Sequence, residues 1–196
     1  MANLMVEIEG SGRHVHLTDE AAIKLFGTAD LPQKRSLTIP GAFVYDVKVD
    51  LIGADGKTIK GVGVLGPHRK DVQVELSFTD ARLLGIEPPI RNSGDTKGSA
   101  PITIVGPKGT LECAEGAIVA NRHIHMSPST AEKYGFKDKE EVQVKIAGQR
   151  GLTFDNVLIR VAGNEIPDSM HIDYDEQNAA GLRQKPFMGE VIKYNK

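Results

Sequence analysis

Apolar and polar residues alternate with a period of two along much of the chain. Val47, Val49 and Leu51 are separated by Lys48 and Asp50, and Asp55-Gly56 then offers a tight hairpin turn before Thr58 to Leu65. Side chains two apart on a strand share a face, so the alternation predicts half-buried strands joined by short turns. Similar runs recur at Val72 to Phe78, Ile102 to Val105, Val142 to Ile146 and Val157 to Val161. Helical segments are few and carry their own stop signals. Thr18 can cap a helix opening with Asp19 and Glu20 and closing at Gly27, and Ser127 followed by Pro128 does the same for a helix ending near Gly135. Thr79 to Leu84 closes at Gly85, and Asp175 to Ala180 closes at Gly181. The pattern predicts a mainly β fold with four short helices acting as caps on sheets.

The chain also resembles itself. Arg13-His14-Val15-His16-Leu17 returns 109 residues later as Arg122-His123-Ile124-His125-Met126, and each copy runs into a capped helix in which Ala22 and Lys24 match Ala131 and Lys133. Val74 to Asp80 matches Met170 to Glu176 at a spacing of 96, each block being followed by a glycine, Gly85 or Gly181. Between these blocks Val62 and Val64 fall on Val157 and Ile159. Chance similarity between β-rich segments does not account for five of the six histidines falling inside paired blocks. The order of blocks predicts an internal duplication, with two similar β modules.

Each module supplies one His-x-His and one further candidate, Glu75 in the first and His171 in the second. On a strand, residues i and i+2 face the same way with Cα atoms roughly 6.5 to 7 Å apart, so two imidazoles can converge on one ion. A lone His-x-His is more often ordinary sequence than a metal site; two copies in matched positions shift the balance. Five imidazoles and one carboxylate are too many for one tetrahedral ion, whereas three ligands for each of two ions leave an open position on each, the pattern of catalytic zinc. Other divalent metals remain open. Glu75 by itself would read as the solvent side of a strand, and only its match to His171 raises it. Asp173, Asp175 and Glu176 fit either a helix start or partners that orient metal-bound imidazoles. Arg69 and Lys70, in the turn Gly66-Pro67-His68-Arg69-Lys70, can bind phosphate or carboxylate or be plain surface charge. His68 reads as structural or peripheral, and the single Cys113 as core packing.

Composition narrows the classes further. A net charge of -2 with dispersed Lys and Arg gives no basic stripe for nucleic acid, and no apolar run approaches the roughly 18 residues a membrane span needs. The expected setting is the cytoplasm, since the N-terminal segment lacks a secretory pattern.

With these motifs assembled, the sequence resembles the PduL-type phosphate acyltransferases, also called phosphotransacylases or phosphate propanoyltransferases. The residues carrying the likeness are Arg13 to Leu17, Gly66-Pro67-His68-Arg69, Gln73-Val74-Glu75, Thr79 to Arg82, Arg91-Asn92-Ser93-Gly94-Asp95, Arg122 to Met126 and Met170 to Asp173, in family order over nearly the whole chain. The resemblance implies two small β-barrels capped by short helices, with the N-terminal strand exchanged into the C-terminal barrel: residues 13–120 as one module and 1–12 plus 121–196 as the other. It implies a dinuclear zinc site whose ligands fall on His14, His16, Glu75, His123, His125 and His171, and a phosphate-binding arginine at Arg69. The implied reaction is acyl-CoA plus phosphate giving acyl phosphate plus coenzyme A, reversibly, with no protein nucleophile. Family members packaged in bacterial microcompartments carry an amphipathic N-terminal extension, while about a dozen residues precede His14 here, so shell or core association is expected only if a targeting extension was removed. A homodimer is left open, as is the choice between acetyl and propanoyl, which differ by one methylene. Two other readings use the same six ligands: a dinuclear metal-dependent ester or thioester hydrolase, and a non-catalytic metal-binding structural protein. The first is disfavoured by length, its barrel versions needing about 250 residues, and the second gives no reason for Arg69.

Overall fold

The computed structural model describes residues 3–183 and 186–194, which form fourteen strands and four α-helices. In chain order the first are β1 (Met5–Ser11), β2 (His14–His16), α1 (Asp19–Phe26), β3 (Gln33–Ser36), β4 (Phe43–Ile52), β5 (Thr58–Gly66), β6 (Gln73–Glu75), α2 (Phe78–Leu84), β7 (Ile90–Arg91), β8 (Ala100–Val105) and β9 (Thr110–Ala120). Then come β10 (His123–Met126), α3 (Pro128–Tyr134), β11 (Glu141–Ile146), β12 (Leu152–Val161), β13 (Ser169–Asp173), α4 (Tyr174–Ala179) and β14 (Met188–Lys193). The chain divides into two compact units, residues 12–120 and residues 1–11 with 121–196. Each contains a closed six-stranded barrel; they are called the first and second barrel.

The first barrel runs β4-β5-β2-β6-β9-β8 and back to β4, with β3 added outside β4 and β7 beside β9. Its apolar positions turn inward, so that Val15, Leu51, Val64, Val74, Ile104 and Ala117 are fully buried in one cluster. Burial stabilises by roughly 1.5–3 kcal/mol for each large aliphatic side chain, which is the main force closing the ring. Asp55 and Gly56 take left-handed backbone conformations (φ 55° and 72°) in the connection between β4 and β5. The predicted turn therefore forms there, although the connection spans residues 53–57 rather than two residues. The run Val72 to Phe78 is a strand only over Gln73–Glu75. Ser77 ends it by capping α2: its hydroxyl accepts from the Asp80 amide, the Asp80 carboxylate accepts from the Ser77 amide, and Phe78 becomes the first helical residue. Thr18 caps α1 by accepting from the Ala21 amide at 3.1 Å, and Gly27 closes it with φ 84°.

The second barrel is the ring β1-β13-β10-β12-β11-β14. β1 lies parallel to β13 and antiparallel to β14, so the N-terminal strand completes the barrel built from the C-terminal half. Val6 and Ile8 of β1 point into the core with Ile124, Val144, Ile159 and Met170. The duplication is visible in the register. In each barrel the His-x-His strand is parallel to a long strand (β2 to β5, β10 to β12) and antiparallel to the strand bearing the third candidate (β2 to β6, β10 to β13). Ser127 caps α3 with Pro128 at its first position, and Gly135 ends it at φ 68°. Asp173 caps α4 reciprocally with Glu176, so both acids serve the helix start. No helix among the described residues is long and apolar enough to cross a membrane.

Candidate metal centres

Register places the candidates side by side. In the first barrel His14 pairs directly with Glu75, and His16 lies two residues along the same strand face. The candidate ligand atoms of His14, His16 and Glu75 all lie within 4.8 Å of one another, and all three residues are buried. In the second barrel His123 pairs with His171, and His123, His125 and His171 form the corresponding group within the same 4.8 Å limit.

The nitrogen chemistry is the same at the head of both motifs. His14 Nδ1 donates to the Gly12 carbonyl at 2.8 Å, and His123 Nδ1 donates to the Asn121 carbonyl at 2.8 Å. A carbonyl only accepts, so Nδ1 carries a proton, and in the neutral ring Nε2 keeps its lone pair. His14 Nε2 then stands 3.5 Å from Glu75 Oε2, and His123 Nε2 3.1 Å from His125 Nε2. Tetrahedral zinc with bonds of about 2.0–2.2 Å sets ligand atoms roughly 3.3–3.6 Å apart, close to both separations. His16 Nδ1 is buried with no hydrogen-bond partner among the described residues, as is His68 Nε2 in the neighbouring turn. Donor type and spacing fit a divalent ion such as zinc, which His14, His16 and Glu75 would hold at one triad and His123, His125 and His171 at the other.

Burial and mutual charge set the protonation of the groups. Burial lowers the His16 imidazole, and His14 and Arg69 lower it further, to about 3; burial, then His123 and His171, do the same for His125, also to about 3. Both are neutral and ready to ligate at ordinary pH. Burial alone would lower His14 and raise Glu75. Their attraction outweighs it, so His14 is raised and Glu75 falls well below the usual carboxylate range.

Each centre is tied to the helix that follows it. Arg13 pairs with Asp80, the acid of the α2 capping box, and Arg122 Nε pairs with Glu176 Oε1 of the α4 capping box at 2.8 Å. The arginine preceding each His-x-His thus grips the turn just beyond Glu75 or His171, locking the two strands of each triad together.

Arg69 belongs to the first centre electrostatically, since its charge is felt by both His14 and His16. It donates to Ser93 Oγ at 3.0 Å, and Ser93 Oγ donates to Glu75 Oε1 at 2.5 Å. Gln73 Nε2 reaches the same two oxygens, Glu75 Oε1 at 2.6 Å and Ser93 Oγ at 3.0 Å, while Gln73 Oε1 accepts from the Gly94 amide at 2.6 Å. Ser93 and Gln73 therefore fix the Glu75 carboxylate and the Arg69 guanidinium in one network. Sequence reasoning assigned neither a role. Gln73 had a usable signal, standing two residues before Glu75 and so on its strand face; Ser93 had only its place in Arg91-Asn92-Ser93-Gly94-Asp95. His68 donates from Nδ1 to Asp19 Oδ1 at 2.6 Å, pinning the turn to the start of α1. Lys70 is exposed. Cys113 packs half-buried against the first-barrel core, and burial pushes its thiol up, away from the reactive thiolate.

Each unit carries one triad of metal-compatible side chains, and the first triad also has Arg69, a cation suited to an anion, in its network. A sequence model of the phosphate propanoyltransferase family matches residues 7–183, a span that contains every residue of both triads and Arg69. A phosphate propanoyltransferase of Clostridioides difficile (strain 630) is 47% identical over 189 residues, 96% of this chain and 89% of its own. One of Listeria monocytogenes is 45% identical over 192 residues (97% and 89%), and one of Thermotoga maritima 48% over 174 residues (88% and 82%). The chain belongs to the phosphate propanoyltransferase family, a family of phosphate acyltransferases.

Proposed function

We propose that the protein transfers a short acyl group reversibly between coenzyme A and inorganic phosphate, using two zinc ions, one on each triad. The observation that carries this reading is the likeness to curated phosphate propanoyltransferases over nearly the whole chain, and the two triads supply the matching chemistry. An oxygen of hydrogen phosphate attacks the thioester carbonyl carbon, a C–O bond forms, the C–S bond breaks, and coenzyme A leaves as thiolate and takes up the proton that the phosphate gives up. Bound zinc would supply Lewis-acid charge for the phosphate and for the oxyanion that develops at the carbonyl. Arg69 holds the phosphate through its guanidinium fork, and Ser93 and Gln73 keep that fork and Glu75 in fixed relation. His16 and His125 stay neutral, so no proton competes for their lone pairs near neutral pH. No acyl-cysteine is needed, and the raised thiol of Cys113 suits none. The cytoplasm is the compartment this reading implies, acyl-CoA being an intracellular substrate.

The test is acyl phosphate formation from propanoyl-CoA and phosphate, trapped as the hydroxamate, before and after removal of metal by a chelator. Formation that stops on chelation and returns with two equivalents of zinc is expected. Undiminished formation by metal-free protein would contradict the metal-dependent reading.

A further inference from the structure

The two triads differ in composition, one holding a carboxylate and the other three imidazoles. In the first barrel three neighbouring strands present one cross-strand row: His14 on β2 pairs with Glu75 on β6, and Glu75 pairs with Ile118 on β9. The corresponding row in the second barrel is His123 on β10, His171 on β13 and Glu9 on β1. Directly paired residues project from the same face of a sheet. Glu9 Oε2 accordingly lies 3.8 Å from His171 Nε2, with the two side chains only 20% and 22% exposed. Ile118, which occupies the place of Glu9 in the first barrel, is apolar and fully buried. The carboxylate has moved one strand across the sheet.

We propose that Glu9 is the carboxylate of the second metal centre, standing beside His171 and offsetting the charge of the ion as Glu75 does in the first. The proposal rests on the reading that each triad binds zinc. Three neutral imidazoles leave a divalent ion with both charges uncompensated in a partly buried site, where opposite charge nearby counts for more than it does in water. Glu9 brings the two centres to the same net charge. It also gives the N-terminal strand a chemical part beyond its packing: β1 supplies Glu9 to the second barrel, and the chain then runs directly into His14 and His16 of the first.

The test is zinc affinity in Glu9→Gln, by competition with a chromogenic chelator, with the first triad of the same chain as internal reference. Gln fills the same volume, so the melting temperature of the metal-free protein should match wild type. The expected result is one zinc held as in wild type and one held about 10–100-fold more weakly, the range for losing a carboxylate just outside the ligands of a metal ion. The same loss is expected when Glu9→Gln is placed on His14→Ala, where only the second triad is intact, and Glu9→Asp should recover part of it. Two zinc ions held at wild-type affinity by Glu9→Gln would overturn the proposal. A wild-type chain that binds no zinc would overturn the underlying reading instead.

Discussion

His14 and Glu75 share a proton's worth of attraction when no metal is bound, and zinc must displace it. His14 is raised, so below its folded pKa a proton occupies the nitrogen that zinc needs. Apparent zinc affinity at the first triad should therefore fall on acidification, about tenfold per pH unit while one proton is displaced, as calorimetry in several buffers would show. A pH-independent affinity would contradict the assignment of His14. His125→Ala should remove one zinc and activity together, while Arg69→Ala should keep two zinc ions and raise the KM for phosphate at least about tenfold, the loss of one charged hydrogen-bonding group being worth roughly 1.5–3 kcal/mol. At this scale the histidines were legible because imidazole is scarce and its placement repeats. Glu75 was legible only through the duplication. Glu9 was not, since Glu7 and Glu9 occupy equivalent polar positions of one alternation and only the pairing of β1 with β13 distinguishes them.

Helix ends were readable where a side chain states the cap. Thr18, Ser127, Gly27, Gly85 and Gly135 act as their residue types require, whereas α4 starts at Tyr174 and is capped by Ala180, one residue before Gly181. The start of α2 was misplaced by one residue because apolar Phe78 continues the alternation of β6, while the deciding bond is between Ser77 and Asp80. β3 left no trace in the pattern: Gln33, Lys34, Arg35 and Ser36 are all exposed, held by backbone pairing to β4. Glycine sets how closely helices approach the first barrel. A Cβ on Gly53 would stand 2.1 Å from the Leu84 carbonyl at the end of α2, and backbone cannot swing aside as a side chain can. Gly53→Ala should destabilise by about 1–3 kcal/mol, the usual cost of overpacking, measured by urea denaturation. An unchanged midpoint would show that α2 is not seated as described.

At the scale of the whole chain, alternation and turns established the β class, and the repeat established two modules. Ring closure was beyond them, because it depends on which strands pair: the link from β8 to β4, or from β11 to β14, joins segments whose sequences carry no mark of each other. The exchange of β1 into the second barrel was legible only through family likeness, since Val6 and Ile8 would suit either core. The most direct measurement is thiol release from acetyl-CoA and propanoyl-CoA by the two-zinc protein, followed with Ellman's reagent with and without phosphate. Release that requires phosphate, with acyl phosphate accumulating in step, is the predicted result; release at the same rate without phosphate would mean that water is the acceptor and would contradict acyl transfer.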